Sequence, residues 1–520
     1  MSADTFIVTL EKLTYGGDAM GHLTDPLAGA SGHAVFVPYA LPGERVRVRL
    51  VEVKRGYARA ELLEVLAPSA ERISPRCKHY FSPLARSSGE GPGPVLPVLA
   101  DTVRAASIGG TPVRDGRPGS KVEGVRACGG CHYQHMPYEA QLRAKEAILR
   151  DQLERIGQIE NPPIRPMVPS PSEWNYRNHV QFHLTAEGKL GYMGAGTGDG
   201  HRPSPSEVVA ISECHLPETS LNALWPQLEF EPDSGLERVS LRLGADEEVM
   251  LILESEDPNP PELEIEADIS VVHLSGEDAV VLAGDDYIVV RALDRPFRVS
   301  AGSFFQVNTA MAGKMAEDLL TNLPISPNTT LLDVYCGVGL FSAFLASRVG
   351  RLIGIESSPS ACEDFVVNLD EFENVELYEA PAEEVLPALD VHPDIILVDP
   401  PRAGLDRRAL DAILALRPGT LAYVSCDPAT LGRDAARLVT GGYQLKQVTP
   451  FDLFPQTYHI ESVSIFETNV RPTPRARYRS TPACANAHPS SDSPTCPYGY
   501  TRSFSHSYEY ARSFSHVHLR

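Results

Sequence analysis

The second half of the chain alternates apolar strand-like runs with helical patterns, and this alternation constrains the fold more than any other feature. From about residue 302, the strand candidates are TTLLDVY, RLIGIE, VELYEA, DIILVD, TLAYVS and ESVSIFE. Helical patterns such as GLFSAFLASRV, PSACEDFVVNLDEF and RRALDAILAL separate several of them. Strands that alternate with helices form a parallel sheet that is covered on both faces. The sequence therefore predicts an α/β domain with a doubly wound sheet.

The first of these strands leads into a glycine-rich turn at 331–341, LLDVYCGVGLF. Such a turn lets the backbone approach a ligand at the start of the following helix. Glu356 ends the next strand, nineteen residues after Gly337, where an acid commonly binds ribose hydroxyls. Dinucleotide dehydrogenases and S-adenosylmethionine methyltransferases share this pattern. Because Ser342 stands where the dehydrogenase motif has its third glycine, the pattern disfavours a dehydrogenase.

Two later strands end in side chains that could do chemistry. One ends at Asp399 and continues into Pro-Pro-Arg, and the next is followed directly by Cys426. The carboxyl ends of strands in such a sheet meet in the ligand crevice. We therefore expect Asp399 and Cys426 to converge beside the cofactor site, where a cysteine can act as a nucleophile. A buried structural cysteine is the alternative.

Residues 1–67 contain short alternating runs broken by Gly and Pro, which predict a small β-barrel. In GERVRVRL, the two-residue period places Arg45, Arg47 and Arg49 on one face. The whole chain has a net charge of −22, so binding to nucleic acid would need such a local basic face. The arginine stripe is either a phosphate-binding surface or a solvated strand face, and the sequence leaves both open.

The remaining segments complete the domain organisation. Residues 68–300 contain one helical pattern and several short strand-like runs, which predict a β-rich central domain. Within it, residues 82–126 are rich in Gly and Pro, which indicates an inserted loop. We assign residues 301–470 to the α/β domain and expect a disordered tail over 471–520. No apolar run is long enough to cross a membrane, and the start lacks signal-peptide features, which predicts a cytoplasmic protein.

The cysteines form a second group of candidate site residues. Nine cysteines in 520 residues are too few for a disulfide scaffold. Cys128 and Cys131 form a C-x-x-C pair, and Cys77 and Cys214 flank it. In a reducing compartment this set indicates a four-thiolate metal site, for which zinc and an iron–sulfur cluster are both open.

Several motifs taken together resemble the RNA 5-methyluridine methyltransferase family. DVYCGVG, DPPRAG, SCDPATLGRD and FPQTYHIE occur in the family's order, and GSFFQVN resembles its glutamine motif just upstream. The N-terminal barrel resembles the TRAM domain, an OB-like RNA-binding barrel of one branch of that family. The resemblance implies a Rossmann-like S-adenosylmethionine methyltransferase domain and an enzyme that methylates carbon 5 of uridine.

The resemblance also implies roles for individual residues. Cys426 matches the family's nucleophile, which adds to carbon 6 of uracil, and Glu461 matches its base. The residues implied to contact S-adenosyl-L-methionine are Gln306, Tyr335, Glu356 and Asp399. CGGCHYQHMPYEAQL resembles the family's iron–sulfur segment, which implies that Cys77, Cys128, Cys131 and Cys214 hold a [4Fe-4S] cluster. The insert at 82–126 departs from the family pattern, because it separates Cys77 from the C-x-x-C pair.

The combination of barrel and cluster resembles the family branch that acts on 23S ribosomal RNA, although transfer RNA is possible. An RNA cytosine-C5 methyltransferase is a less favoured alternative, because such enzymes have Pro-Cys where this chain has Asp-Pro-Pro at 399–401. A non-catalytic RNA-binding protein is a further alternative, which the presence of Cys426, Glu461 and Glu356 disfavours. We expect structured RNA as the partner, with no membrane and no protein partner implied.

Overall fold

A computed structural model describes residues 5–23, 32–81, 127–195, 207–232, 234–262 and 268–468. The insert predicted at 82–126 and the tail predicted at 471–520 lie outside these residues. Among the helices of the described ranges, none has both the length and the apolar character needed to span a membrane.

The N-terminal barrel predicted from the sequence is confirmed. Its strands are β1 (Thr5–Leu13), β2 (Ala19–His22), β3 (Ala34–Val37), β4 (Arg45–Lys54) and β5 (Tyr57–Ala67). They close in the order β1-β2-β3-β5-β4. Val46 and Val48 point into the barrel and are fully buried, while the arginines between them face outward, as the two-residue period requires.

The arginine stripe on β4 is less positive than its sequence suggests. Arg47 pairs with Glu64 and Arg49 pairs with Glu61, both from the neighbouring strand β5. These carboxylates neutralise charge that would otherwise attract phosphate. The structure therefore favours the solvated strand face over the phosphate-binding surface for these two arginines.

The middle of the chain combines one long helix with a mixed sheet and a hairpin. The helices are α1 (Tyr138–Arg155) and α2 (Thr219–Leu224), with short 3-10 turns at Trp225–Gln227 and Ala245–Glu247. The sheet strands are β6 (His179–Leu184), β7 (Leu190–Met193), β8 (Val208–Ala210), β9 (Leu236–Leu243), β10 (Val249–Ser255), β11 (Ser270–Ser275) and β12 (Asp278–Ala283). They lie in the order β12-β11-β10-β9-β6-β7-β8, and β13 (Tyr287–Ala292) pairs with β14 (Arg295–Ser300).

The α/β domain has the predicted alternation. Its helices are α3 (Thr309–Asn322), α4 (Leu340–Leu345), α5 (Pro359–Asn368), α6 (Ala382–Ala388), α7 (Arg407–Leu416) and α8 (Pro428–Thr440), with a 3-10 turn at Ala346–Arg348. Its strands are β15 (Thr330–Val334), β16 (Arg351–Glu356), β17 (Val375–Glu379), β18 (Ile395–Val398), β19 (Thr420–Ser425), β20 (Tyr443–Phe451) and β21 (Glu461–Thr468). The sheet order is β17-β16-β15-β18-β19-β21-β20. The first five strands of that order are parallel, whereas β21 is antiparallel to both neighbours.

Both faces of this sheet are covered, as expected for a doubly wound fold. Leu332, Ile396 and Leu421 are fully buried on one face, and residues one position away in each strand are buried on the other. Helix α1 joins the first of these cores through Leu149 and Leu153. The middle region and the α/β domain therefore share a core, and a crevice remains open at the carboxyl edge of the parallel strands.

Candidate active site

A cavity of about 1240 Å³ opens at the carboxyl edge of the parallel strands. The loops that follow β15, β16, β18 and β19 line it, together with the start of β21. Six site residues expected from the sequence lie in its wall: Gln306, Tyr335, Glu356, Asp399, Cys426 and Glu461. The structure therefore brings the candidate catalytic and cofactor-binding residues to one place.

The glycine-rich turn after β15 has a backbone that most residues would not adopt. Tyr335 and Gly337 have φ values of 65° and 53°, and Gly339 has 88°. A Cβ atom at Gly339 would lie only 2.4 Å from Leu369 Cδ1, so the turn can pack on α5 only with glycine there. A Cβ atom at Gly337 would meet nothing within 4 Å, which leaves room for a ligand beside the turn.

Glu356 is held at the cavity wall by backbone donors on both of its carboxylate oxygens. Its Oε2 accepts a hydrogen bond from Gly337 N at 2.9 Å. Its Oε1 accepts from Ser357 N at 2.7 Å and from Ser358 N at 2.8 Å. These bonds fix the carboxylate at the end of β16 and beside the glycine-rich turn, where it can accept from ligand hydroxyls.

Two more carboxylates lie within electrostatic range of Glu356: Asp399 in the cavity wall and Asp333, which is buried. Burial raises the pKa of Asp399 to about 8, and the charges of Asp333 and Glu356 reinforce the rise. Burial also raises the pKa of Asp333 to about 7, despite the hydrogen bond that Ser342 Oγ donates to it at 2.6 Å. Neighbouring negative charge disfavours ionisation of Asp333 and Asp399, and a cationic ligand would reduce this effect. The cavity thus matches a cofactor that carries a sulfonium and an ammonium group.

The sheet register brings Cys426 and Glu461 together, although they are far apart in sequence. Ser425 at the end of β19 lies opposite Ser462 near the start of β21. Because β21 runs antiparallel to β19, its first residue lies at the same sheet edge as the end of the parallel strand. Cys426 and Glu461, the next residues outward, consequently both line the cavity.

Burial disfavours the ionised form of both of these groups. Burial raises the pKa of the Cys426 thiol to about 12, and the charges of Glu461 and Asp399 add to the effect. Burial, followed by the charge of Asp399, also raises the pKa of Glu461 well above its usual range. Arg402 opposes both shifts. Positive charge brought into the cavity would therefore favour ionisation of the two groups.

Sequence reasoning missed several residues that shape the cavity. Arg402 was visible in the Asp-Pro-Pro-Arg motif but had no assigned role. Phe304 lies in the cavity wall and is 69% exposed, which is unusual for a large aromatic side chain. Its position two residues before Gln306 was the available signal.

The segment before Glu461 is anchored by helix α1, which no sequence pattern indicated. Lys145 Nζ donates to Asp452 Oδ1 at 2.6 Å and to the Phe454 carbonyl at 3.0 Å, and both charged side chains are 0% exposed. Gln141 exchanges hydrogen bonds with Gln456, to both its side chain and its backbone N–H. These buried contacts hold residues 452–461 against α1.

The four cysteines expected to bind metal come from three segments that contact one another. Cys77 N donates to Gln134 Oε1, just after the C-x-x-C pair, at 3.0 Å. Cys128 N donates to the His79 carbonyl at 3.0 Å, and Lys78 N donates to Glu213 Oε1 at 2.9 Å. Cys77, Cys128, Cys131 and Cys214 are free thiols. Burial raises the pKa of all four, and neighbouring thiolates raise those of Cys77, Cys128 and Cys131 further.

The fit of this group to a metal is only partial. Within the described ranges, no set of three or more His, Cys, Asp or Glu side chains is arranged to hold a metal ion. The expected metal site is therefore not present as a formed site. The three segments that carry the four thiols nevertheless contact one another, and four thiolates suit zinc as well as an iron–sulfur cluster.

Comparison with known proteins agrees with this geometry. The family described as tRNA (Uracil-5-)-methyltransferase matches residues 263–469, and the TRAM domain matches residues 3–63. The crystal structure of Pyrococcus abyssi tRNA (uracil-54, C5)-methyltransferase in complex with S-adenosyl-L-homocysteine is similar in fold. It has a TM-score of 0.59 and 23% sequence identity, and the match covers 89% of this chain and 100% of that one.

Relatives match over almost their full length. A protein of Thermosynechococcus vestitus described as an uncharacterized RNA methyltransferase is 31% identical, over 89% of this chain and 98% of its own. A protein of Halalkalibacterium halodurans with the same description is 32% identical, and the match covers 89% of this chain and 97% of that protein. With the family and TRAM matches, these relatives show that the chain belongs to the S-adenosylmethionine-dependent RNA uracil-5 methyltransferases.

Proposed function

We propose that this enzyme methylates carbon 5 of a uridine in structured RNA, most readily 23S ribosomal RNA, through a covalent adduct of Cys426 at carbon 6. The observation that carries the proposal is the meeting of Cys426 and Glu461 at one edge of the cavity. A thiol and a carboxylate in one half-buried site supply the nucleophile and the base that the reaction needs.

Cys426 makes carbon 5 nucleophilic. Its thiolate forms a bond to carbon 6, and the electron pair of the carbon 5–carbon 6 double bond moves toward the carbonyl at carbon 4. Carbon 5 of this enolate can then take a methyl group. Arg402 assists because its charge lowers the pKa of the Cys426 thiol against the effect of the surrounding carboxylates.

Glu461 completes the reaction by removing the proton that carbon 5 still carries. The electron pair of that carbon–hydrogen bond restores the double bond between carbon 5 and carbon 6. As this double bond forms, the carbon–sulfur bond breaks, and its electron pair returns to Cys426 as a thiolate. Burial of Glu461 raises its pKa well above the usual range, which makes its ionised form a stronger base.

Gln306, Tyr335, Glu356 and Asp399 are proposed to hold S-adenosyl-L-methionine, since all four line the acidic part of the cavity. When bound, the cofactor supplies an activated methyl group on a sulfonium. Glu356 would accept hydrogen bonds from ribose hydroxyls, and the Asp399 carboxylate would balance positive charge on the cofactor. The orientation of Glu356 is set by the three backbone N–H groups that it accepts from.

RNA would reach this cavity as an unstacked base. Phe304 offers an exposed ring at the cavity wall, and bases taken out of a helix commonly stack on aromatic side chains. The combination of barrel and cysteine group favours 23S ribosomal RNA. Transfer RNA is the second candidate, because the similar Pyrococcus abyssi enzyme acts on a tRNA uridine.

Two further parts of the proposal concern the rest of the chain. Cys77, Cys128, Cys131 and Cys214 would hold a [4Fe-4S] cluster that ties their three segments together. The domains would be the barrel at 1–67, the central domain at 68–300, the methyltransferase domain at 301–470 and the tail at 471–520. A cytoplasmic location stays a prediction from the sequence.

The decisive experiment uses Glu461→Gln, which keeps the shape of the side chain and removes its basicity. The variant is incubated with methyl-labelled cofactor and with ribosomal and transfer RNA from cells that lack the enzyme. Turnover should fall by about 10²- to 10⁴-fold. A labelled protein–RNA adduct should accumulate and persist on a denaturing gel, and the RNA in it identifies the substrate.

Two variants control this experiment. Cys426→Ala in the Glu461→Gln background should abolish the adduct, because no thiolate remains to form the bond. Glu467→Gln makes the same change on the same strand, at a surface carboxylate that pairs with Lys446, and should turn over normally. Rapid turnover by Glu461→Gln without an adduct would contradict the role of Glu461, and His459 would be tested next. Methylation by Cys426→Ala would overturn the covalent mechanism.

A further inference from the structure

The N-terminal barrel reaches into the neighbourhood of the proposed nucleophile. The turn between β1 and β2 lies between the segment after the C-x-x-C pair and the segment before Glu461. A Cβ atom at Gly17 would lie 3.3 Å from His132 Cβ and 3.4 Å from Tyr458 Cδ1, and Gly17 has a φ of 92°. Glycine thus allows the turn to fit closely at this point.

The same turn makes a direct hydrogen bond to the residue after Cys426. The Tyr15 hydroxyl donates to Asp427 Oδ2 at 2.8 Å. The other oxygen of Asp427, Oδ1, accepts from Ala429 N and Thr430 N, both at 2.9 Å, and so caps helix α8. Asp427 is therefore held from both sides, by the first turn of α8 and by the barrel.

We propose that Tyr15 is a positioning residue for methyl transfer: through Asp427 it fixes the start of helix α8 and, with it, the reactive geometry of Cys426. This inference rests on the proposed role of Cys426 as the nucleophile. It assigns the barrel a part in the chemistry in addition to any part in binding RNA.

The charges around Cys426 give this contact an electrostatic effect. Four charged groups act on the thiol: Glu461 on β21, Asp399 and Arg402 in and after the Asp-Pro-Pro motif, and Asp427 itself. All but Arg402 raise the pKa of the thiol. A hydroxyl that donates to Asp427 draws its negative charge away from the sulfur, and loss of that donor would raise the thiol pKa further. Tyr423, at the end of β19, is also within electrostatic range of Cys426, and burial raises its pKa so that it stays neutral.

The ring of Tyr15 provides a way to separate the hydroxyl from packing. It stands edge-on to Tyr458, with ring centroids 5.8 Å apart, and it packs against Ile148, Met167 and Ile460. Tyr15→Phe keeps these apolar contacts and removes only the donor to Asp427. A change in reactivity of Cys426 in this variant is therefore a change caused by the hydroxyl.

The test measures the pH dependence of iodoacetamide alkylation at Cys426, followed on its own peptide by mass spectrometry in the full-length protein. In Tyr15→Phe the midpoint should move to higher pH by about half a unit to one unit, which lowers thiolate content about three- to tenfold at a given pH below it. Single-turnover methyl transfer at saturating RNA should fall by a similar factor at pH 7.

Asp427→Asn provides the opposite perturbation, since asparagine caps a helix as well as aspartate does but carries no charge. In Asp427→Asn the midpoint of Cys426 alkylation should move to lower pH. Adding Tyr15→Phe to this variant should not raise the midpoint. Tyr57→Phe removes a hydroxyl from β5 of the same barrel and should leave the midpoint unchanged.

Unchanged midpoint and methyl-transfer rate in Tyr15→Phe would overturn the inference, as would an equal shift in Tyr57→Phe. If Tyr15→Phe does not fold, the test uses Asp427→Asn, and an unchanged alkylation midpoint in that variant would overturn the inference. These outcomes are distinct from failure of the proposed function, which would appear as methylation by Cys426→Ala.

Discussion

In the segment that leads to Glu461, substitution of the buried ion pair between Lys145 and Asp452 should cause the largest loss of folding stability. Both side chains are fully buried, and Lys145 also donates to the Phe454 carbonyl. Lys145→Met keeps most of the side-chain volume but removes the ammonium group. The Asp452 carboxylate would then be buried without its counterion.

The expected loss can be worked out from these contacts. Removing one partner of a buried pair costs about 3–5 kcal/mol, because the other charge is left uncompensated. The lost bond to the Phe454 carbonyl adds about 1 kcal/mol. We therefore expect the free energy of unfolding to fall by about 4–6 kcal/mol, a large part of the stability of a typical domain.

Urea unfolding followed by circular dichroism would measure this loss. Lys12→Met is the matched control, because Lys12 also pairs with an aspartate, Asp151 of α1, at 2.7 Å but in an exposed position. It should cost at most about 1 kcal/mol.

Lys145→Met combined with Asp452→Leu should recover most of the loss, since an apolar pair of similar volume replaces both charges. Methylation by this double variant should still be impaired, because the charge of Lys145 that lowers the pKa of Glu461 is gone. Equal losses for Lys145→Met and Lys12→Met, or no recovery in the double variant, would refute the reasoning.

Two predictions concern the ligands. Since a cationic ligand lowers the pKa of Asp333 (about 7) and of Asp399 (about 8), S-adenosyl-L-methionine should release protons when it binds at pH 7.5, and its affinity should fall as the pH drops below 8. S-adenosyl-L-homocysteine lacks the sulfonium charge and should release fewer protons; calorimetry in buffers of different ionisation enthalpy measures this, and equal release would contradict the acidic-cavity argument. Protein purified without air should contain iron and labile sulfide, and Cys77→Ser should lose them. Stoichiometric zinc without iron would rule out the cluster, and an intact cluster in Cys77→Ser would show that the first ligand lies elsewhere.

Much of the site could be predicted because its signals are local. Cys426 and Asp399 each follow an apolar strand, and the carboxyl ends of parallel strands lie at the same edge of the sheet. Glu461 was identified only through its motif, because its place beside Cys426 depends on β21 running antiparallel to β19. The doubly wound sheet was predicted from the same alternation that defines its strands.

The features that could not be predicted depend on partners distant in sequence. Lys145 and Asp452 are 307 residues apart, and Tyr15 and Asp427 are 412 residues apart. No periodic pattern connects such pairs. The sequence left two interpretations of the arginine stripe open for the same reason, because the glutamates that pair with Arg47 and Arg49 belong to another strand of the barrel.

The hydrogen bond from Cys128 N to the His79 carbonyl also determines how the chain is connected. Residues 79 and 128, which lie on either side of residues 82–126 in the sequence, are therefore neighbours in the fold. Because these two positions are close together and loop-closure entropy changes slowly with loop length, we expect that a short linker could replace residues 82–126. A foreign domain whose termini lie close together could be inserted at the same position, so this position is suited to the attachment of a fluorescent or affinity label.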